Sequence, residues 1–374
     1  MNSKIVYFDN NATHAPIKEV LTESLQEYLQ SYYNPSGITK FSLNSQSKIE
    51  NARNYFAEIT KKKSSGFVFN STGTESNYLL VSALSKTLKQ KKILTSPFEH
   101  PSVYAALDFF GFETIRLQTD KSGKIDLNDL ETQLKKQNLP LFIIYTSNET
   151  GVIQPIESII GLVNQFNTFL FTDLIQAFGK IEIDFTFLSG FSFSGHKIGA
   201  GMGTSLAYIE PNLIQKKDFS IFHGGNQENG FRAGTENLQS IIAFQKASEF
   251  QLLRLQEKNQ RLRNFQKKIE IELKNLGAII VGENSERLSS TTFAILPDTD
   301  IDFLMIGLTE KNIILSNGSS CKSRTRTPSE NLLAMGYSKQ EALSAIRISS
   351  GLFTTEDDVE LLINRIKEVI LKLK

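Results

Sequence analysis

Between residues 66 and 209 the chain alternates short apolar, β-rich runs with stretches of helical period. The runs cover 66–70, 92–95, 113–118, 141–147, 168–173, 191–194 and 204–209. Helical stretches lie near 74–90, 101–110, 127–138 and 156–166. Such alternation predicts an α/β fold whose mostly parallel, seven-stranded sheet lies between helices. Leu141-Phe-Ile-Ile-Tyr145 is apolar throughout, as a strand buried on both faces must be. Open sheets of this kind collect ligands at strand ends.

Beyond the sheet, one long helical pattern runs from about Glu236 to Leu276 and is expected to bridge two domains. Strand-like Ala278–Val281 and Ser290–Ile295, with several helices, predict a smaller α+β unit. An amphipathic helix is expected near Glu356–Leu373. A chain of 374 residues accommodates two or three domains. The expected division is 15–250 for the large domain and 1–14 with 251–374 for the small one.

The formal charge is only +1, which argues against a protein built to bind nucleic acid or an anionic membrane. Cys321 is the one cysteine, so no disulfide forms within the chain and a reducing compartment is expected. No signal-peptide core and no run of 18 apolar residues is present. The expectation is a cytoplasmic protein. Four histidines and one cysteine have no metal-ligand spacing.

Lys197 closes the run Ser194-Gly-His-Lys197, just after an apolar stretch. An amine there, beside His196, is placed to form a Schiff base with an aldehyde cofactor. Thr168-Phe-Leu-Phe-Thr-Asp173 is an apolar run ending in a carboxylate. A buried Asp needs a partner; a protonated pyridine nitrogen is one, and a helix cap or a metal are the others. Gln176 follows three residues on, suited to a ring hydroxyl or to a surface helix. Ser71-Thr-Gly-Thr-Glu75 opens a helix after a strand. Its amides suit a phosphate, or the motif is an ordinary helix cap. Asn148 follows another apolar run, as a ligand contact or a turn former.

His100 stands at a strand-to-helix corner, in Glu99-His-Pro101. It suits stacking on a flat cofactor, or capping. Cys321 is flanked by Gly, Ser, Lys and Arg rather than by apolar residues. Cations favour the thiolate, so it reads as a nucleophile or carrier on an exposed loop, with a buried inert cysteine as the alternative. Arg347 alternates with apolar neighbours in Ala-Ile-Arg-Ile-Ser. It suits a two-bond grip on a substrate carboxylate or a structural ion pair.

Taken in order, these motifs resemble the pyridoxal phosphate-dependent cysteine desulfurases, in the class-V aminotransferase group of fold type I. The resemblance runs through Asp9-Asn-Asn-Ala-Thr13, Asn34-Pro-Ser36, Gly73-Thr-Glu75, Glu99-His-Pro101 and Asn148-Glu-Thr-Gly151. It continues through Asp173 with Gln176, Ser194–Lys197, Arg232–Asn237, the Cys321 loop, and Arg347-Ile-Ser with Phe353-Thr-Thr355. The loop up to Pro328 is similar to the longer loop of the branch that feeds iron–sulfur cluster assembly and tRNA thiolation.

The resemblance implies roles. Lys197 would bond to the cofactor and shuttle protons, and His100 would stack on the ring and assist acid–base steps. Asp173 would hold the pyridinium. Gln176 and Asn148 would contact the ring hydroxyl or the substrate. Gly73, Thr74, Ser194 and His196 would hold the phosphate, completed by Thr235 of a second subunit, which implies a homodimer. Arg347 and Asn148 would hold the carboxylate of L-cysteine. Cys321 would take the sulfur as a persulfide, release L-alanine and pass the sulfur to an acceptor protein, an iron–sulfur scaffold or a tRNA-thiolation protein. A selenocysteine lyase or another enzyme of the group, and a non-catalytic sulfur carrier or scaffold, are the alternatives.

The chain departs from the family pattern in places. The turn after Lys197 reads Ile198-Gly-Ala-Gly-Met-Gly203, without the usual proline and lysine. Ser320, His14 and Asn226 replace the usual Ala, Thr and Gly. Lys322, Arg324 and Arg326 suit an acidic acceptor surface.

Overall fold

The computed structural model describes residues 4–213, 219–297, 299–317 and 327–373. The chain opens with β1 (Val6–Tyr7), α1 (Lys18–Leu29) and α2 (Lys40–Thr60). Strands and helices then alternate: β2 (Phe67–Asn70), α3 (Gly73–Thr87), β3 (Lys92–Thr95), α4 (Pro101–Phe109), β4 (Glu113–Arg116) and α5 (Leu127–Lys136). They continue with β5 (Leu141–Phe142), α6 (Ile156–Phe166), β6 (Leu170–Asp173), β7 (Gly190–Ser194) and β8 (Ser205–Ile209). The remainder comprises α7 (Leu238–Leu253), α8 (Leu255–Asn275), β9 (Ile279–Ile280), β10 (Thr291–Ile295), α9 (Ile301–Glu310) and β11 (Ile313–Ile314). It closes with α10 (Glu330–Ala334), α11 (Lys339–Leu343), β12 (Ala345–Ser349) and α12 (Glu356–Leu373).

The main sheet has seven strands in the order β2-β8-β7-β6-β5-β3-β4. Only β8 runs against its neighbours, β2 and β7; the other pairs are parallel. β6 and β7 are buried along their whole length, filled by Leu170 and Phe171 of β6 and by Phe191 and Phe193 of β7. Phe178, on the turn after β6, stacks on Phe193 of β7 with ring centroids 3.9 Å apart. That contact, worth about 1 kcal/mol, ties the turn carrying Gln176 to the strand leading to Lys197.

A second core gathers Leu262, Phe265 and Ile269 of α8, Ile346 and Ile348 of β12, and Val359, Leu362 and Ile366 of α12. Here β10 pairs antiparallel with β9 and β12. The N-terminal β1 joins β11 in parallel. Among the described residues, no helix is long and apolar enough to cross a membrane.

Two sequence expectations need correction. The helical pattern 236–276 is two helices, α7 and α8, broken at Arg254, whose φ of −106° and ψ of 10° leave the helical region. The two halves serve different cores: Ile241, Ile242 and Phe244 pack under the main sheet, and Leu262 and Phe265 pack in the second core. Arg254 covers the break, its guanidinium 3.7 Å from the Phe250 ring centroid.

The run 141–147 is regular strand only over Leu141–Phe142. Its neighbour β3 ends at Thr95. Beyond that point the Glu99 side chain replaces a strand, accepting the Ile144 N–H at 2.7 Å. On the other side Ile143 and Tyr145 still donate to Phe171 and Asp173.

Candidate active site

Ten of the residues singled out in the sequence line one cavity of about 380 Å³: Gly73, Thr74, His100, Asn148, Asp173, Gln176, Ser194, His196, Lys197 and Arg347. Asp173 and Ser194 reach it from the carboxyl ends of neighbouring strands, and Lys197 follows on a single tight turn after β7. A wider cleft of about 750 Å³ lies elsewhere, between α6 and α8, and none of these residues lines it.

The Lys197 Nζ donates to two backbone carbonyls, Asn11 and Ala12, both at 2.7 Å. Gln176 Nε2 donates to the same Asn11 oxygen at 2.8 Å. Behind it, Lys180 Nζ donates to Gln176 Oε1 at 2.6 Å and Asn11 Oδ1 at 3.2 Å. Burial, then the neighbouring cations Lys197, Lys258 and Arg347, pull the Lys180 amine well below the usual lysine range. Asn11 and Ala12 are thus site residues that residue-by-residue reading did not single out. Their only signal was their place in the Asp9–Thr13 motif.

Asp173 is 3% exposed. Its Oδ1 accepts the Ile175 N–H at 2.9 Å and its Oδ2 accepts Asn77 Nδ2 at 3.0 Å. His100 caps α4: its Nδ1 accepts the Ser102 N–H at 3.2 Å and lies 2.7 Å from Ser102 Oγ. The capping reading of His100 therefore holds, and the ring still lines the cavity. Burial lowers its pKa, with Lys197 adding to the effect and Asp173 opposing it.

Thr72 caps α3 by accepting the Glu75 N–H at 3.1 Å. The Glu75 carboxylate in turn accepts the Ser71 N–H at 3.0 Å. Gly73 and Thr74 form the first turn, where amide N–H groups have no partner in the helix and favour an anion. A Cβ on Gly73 would stand 2.4 Å from Ile175 Cδ1, so a larger residue at this edge of the cradle would require the Ile175 side chain to turn aside. Ser194 Oγ accepts Ser205 Oγ at 2.9 Å. His196 Nδ1 lies 3.2 Å from Thr13 Oγ1. Burial, with Lys197 and Lys180 nearby, lowers the His196 pKa to about 4, so the ring is neutral at neutral pH and offers a hydrogen bond rather than a charge.

Arg347 is 1% exposed. It pairs with Asp9 at 2.7 Å and donates to the Asn148 carbonyl at 3.1 Å. The structural ion pair is therefore present, at the wall of the cavity. His14, unassigned in the sequence, bridges the N-terminal segment and the loop after β12. Its Nδ1–H donates to Ala15 O at 2.6 Å and its Nε2 accepts the Leu352 N–H at 3.3 Å.

Two expected residues stand apart. Thr235 is exposed and lines a separate cavity of about 220 Å³ with Arg232 and Glu236. Cys321 lies outside the described residues.

Residues 6–362 match the model of the family described as Aminotransferase class-V. The chain belongs to the class-V aminotransferase family. It is 31% identical to the cysteine desulfurase IscS of Dictyoglomus turgidum, covering 99% of this chain and 95% of that one. To the cysteine desulfurase NifS of Azotobacter vinelandii it is 28% identical, over 99% and 93%. Among solved structures, a NifS-like protein superposes with a TM-score of 0.91 at 28% identity, over 99% of this chain and 100% of that one. A NifS-like protein from Rickettsia africae gives 0.88 at 29% identity, over 98% and 99%. Class-V aminotransferases are in general pyridoxal phosphate-dependent enzymes. The cavity suits that cofactor: a buried carboxylate for a pyridinium, a lysine amine for an aldehyde, and a glycine-edged helix N-terminus for a phosphate.

Proposed function

We propose that the protein is a cysteine desulfurase that takes sulfur from L-cysteine, releases L-alanine and holds the sulfur as a persulfide on Cys321. The observation that carries this reading is the single cavity shared by Lys197, Asp173 and the first turn of α3. Bound pyridoxal phosphate supplies an aldehyde that captures the substrate amine and a ring that withdraws electrons from its Cα.

The chain's own residues do the rest in this reading. Lys197 would hold the cofactor through its amine, and that amine would take and return the substrate Cα proton. Asp173 accepts the ring N–H, and His100 covers the ring. Gln176 and Asn148 meet the ring hydroxyl. Gly73, Thr74, Ser194 and His196 bind the phosphate, joined by Thr235 of a second subunit. Arg347 and Asn148 hold the substrate carboxylate. The Cys321 thiolate attacks the substrate sulfur: an S–S bond forms as the C–S bond breaks. Carbon keeps that electron pair, takes a proton and leaves as alanine, so the exchange needs no outside oxidant.

The same reading makes the protein a cytoplasmic homodimer. Residues 15–250 form its cofactor-binding domain, and 1–14 with 251–374 form a small domain carrying the Cys321 loop. The separate cores of the two parts support this division. The sulfur passes to an acceptor protein of iron–sulfur assembly or tRNA thiolation. Purified protein should be yellow and convert L-cysteine to alanine. A colourless protein that gains no visible absorbance with added pyridoxal phosphate contradicts the reading.

A further inference from the structure

Asn77 lies on α3, fully buried, and is neither a cavity residue nor one the sequence pointed to. Its amide is held on three sides. Ser192 Oγ of β7 donates to Asn77 Oδ1 at 2.8 Å. Asn77 Nδ2 donates one hydrogen to Ser102 Oγ and the other to Asp173 Oδ2, both at 3.0 Å. The orientation is not arbitrary. An ionised carboxylate only accepts, so nitrogen and not oxygen must face Asp173. Ser102 Oγ, having accepted from Asn77, is free to donate to His100 Nδ1, 2.7 Å away. Both amide hydrogens and the amide oxygen are therefore spent inside the protein, in a setting where an unmade bond is costly.

Asp173 thus has two fixed donors, the Ile175 N–H of its own turn and the Asn77 amide from the helix above. Together they set the plane of the carboxylate. We infer that Asn77 is a positioning residue, which orients Asp173 for the ring nitrogen of bound pyridoxal phosphate. The inference rests on the reading that Asp173 meets that nitrogen. Helix α3 then serves the cofactor twice, through its first turn at the phosphate and through Asn77 at the ring.

The test is binding selectivity. The cofactor-free protein is titrated with pyridoxal phosphate and with the analogue that carries carbon in place of the ring nitrogen. Wild type should prefer pyridoxal phosphate. In Asn77→Leu that preference should shrink about ten-fold or more, the scale of one lost hydrogen bond to a charged group. General loosening of the pocket would weaken both ligands equally and leave the ratio unchanged. Ser192→Ala, a small change that frees the Asn77 amide to turn, should shrink the ratio in the same direction by less, and it decides the matter if Asn77→Leu does not fold. An unchanged ratio in the folded variants, with wild type discriminating normally, overturns the role of Asn77 and leaves the proposed function intact. A wild type that binds neither ligand, or does not discriminate, overturns the Asp173 reading itself.

Discussion

The Lys197 amine donates to the Asn11 backbone carbonyl at 2.7 Å, across 186 residues of sequence. The N-terminal segment is thereby fastened to the turn after β7, and the lysine is aimed by backbone atoms that no side-chain substitution removes. Lys197→Ala should abolish the visible absorbance of the bound cofactor. Alanine formation should fall by roughly 10²–10⁴-fold, the range for loss of an acid–base group. The melting temperature should change little, because the two acceptors are carbonyls that a water can satisfy.

Arg347 and Asp9 form the second long-range fastening, a 2.7 Å pair with the arginine side chain 1% and the aspartate 17% exposed. Removing one partner of such a pair leaves a buried charge. Asp9→Ala should therefore cost about 3–5 kcal/mol in urea unfolding. Arg347→Lys keeps the charge but not the two-bond geometry, and should raise KM for L-cysteine about ten-fold. A KM unchanged in Arg347→Lys would confine Arg347 to its structural pair.

Glu99 gives the pH dependence of stability. Burial lifts its pKa from 4.5 to about 8, against the Ser96 and Ile144 hydrogen bonds that favour the ionised form. The folded chain therefore holds this proton more tightly than the unfolded chain. Its contribution is complete below 4.5 and is lost as pH rises towards 8, in total about 3–5 kcal/mol. Glutamine keeps the acceptor that Ser96 and Ile144 use and cannot ionise. Melting curves of Glu99→Gln should show a flatter pH dependence between these values than wild type; parallel curves would contradict the assignment.

Much of this site was legible because apolar strands end abruptly in polar residues. Asp173 and Lys197 were found from the apolar runs that precede them, whereas the role of Ser194 came only from the family resemblance. What was not legible depends on partners far along the chain. Asn77 looks like any polar helix position until Ser192 and Asp173, 115 and 96 residues away, fold against it. Arg347 was read with both of its possible roles because Asp9 lies 338 residues away. Helix α1 left a weak trace, since it fully buries only Val20 and Ser24. The break at Arg254 was hidden because each half of the pattern keeps helical spacing while changing the core it faces.

Thr235 lines a cavity apart from the phosphate cradle of its own chain, so the proposed contact with the phosphate requires a second subunit. Thr235→Ala should weaken pyridoxal phosphate binding about three- to ten-fold, the scale of one neutral hydrogen bond. Light scattering should give twice the chain mass of 42.0 kDa. A monomer that binds the cofactor with wild-type affinity contradicts the shared cradle.

The central claim is tested most directly by product analysis with L-cysteine and a reductant, comparing wild type with Cys321→Ala. Wild type should yield alanine and sulfide in equal amounts, and the variant little of either. Equal alanine from both proteins would contradict the persulfide role of Cys321.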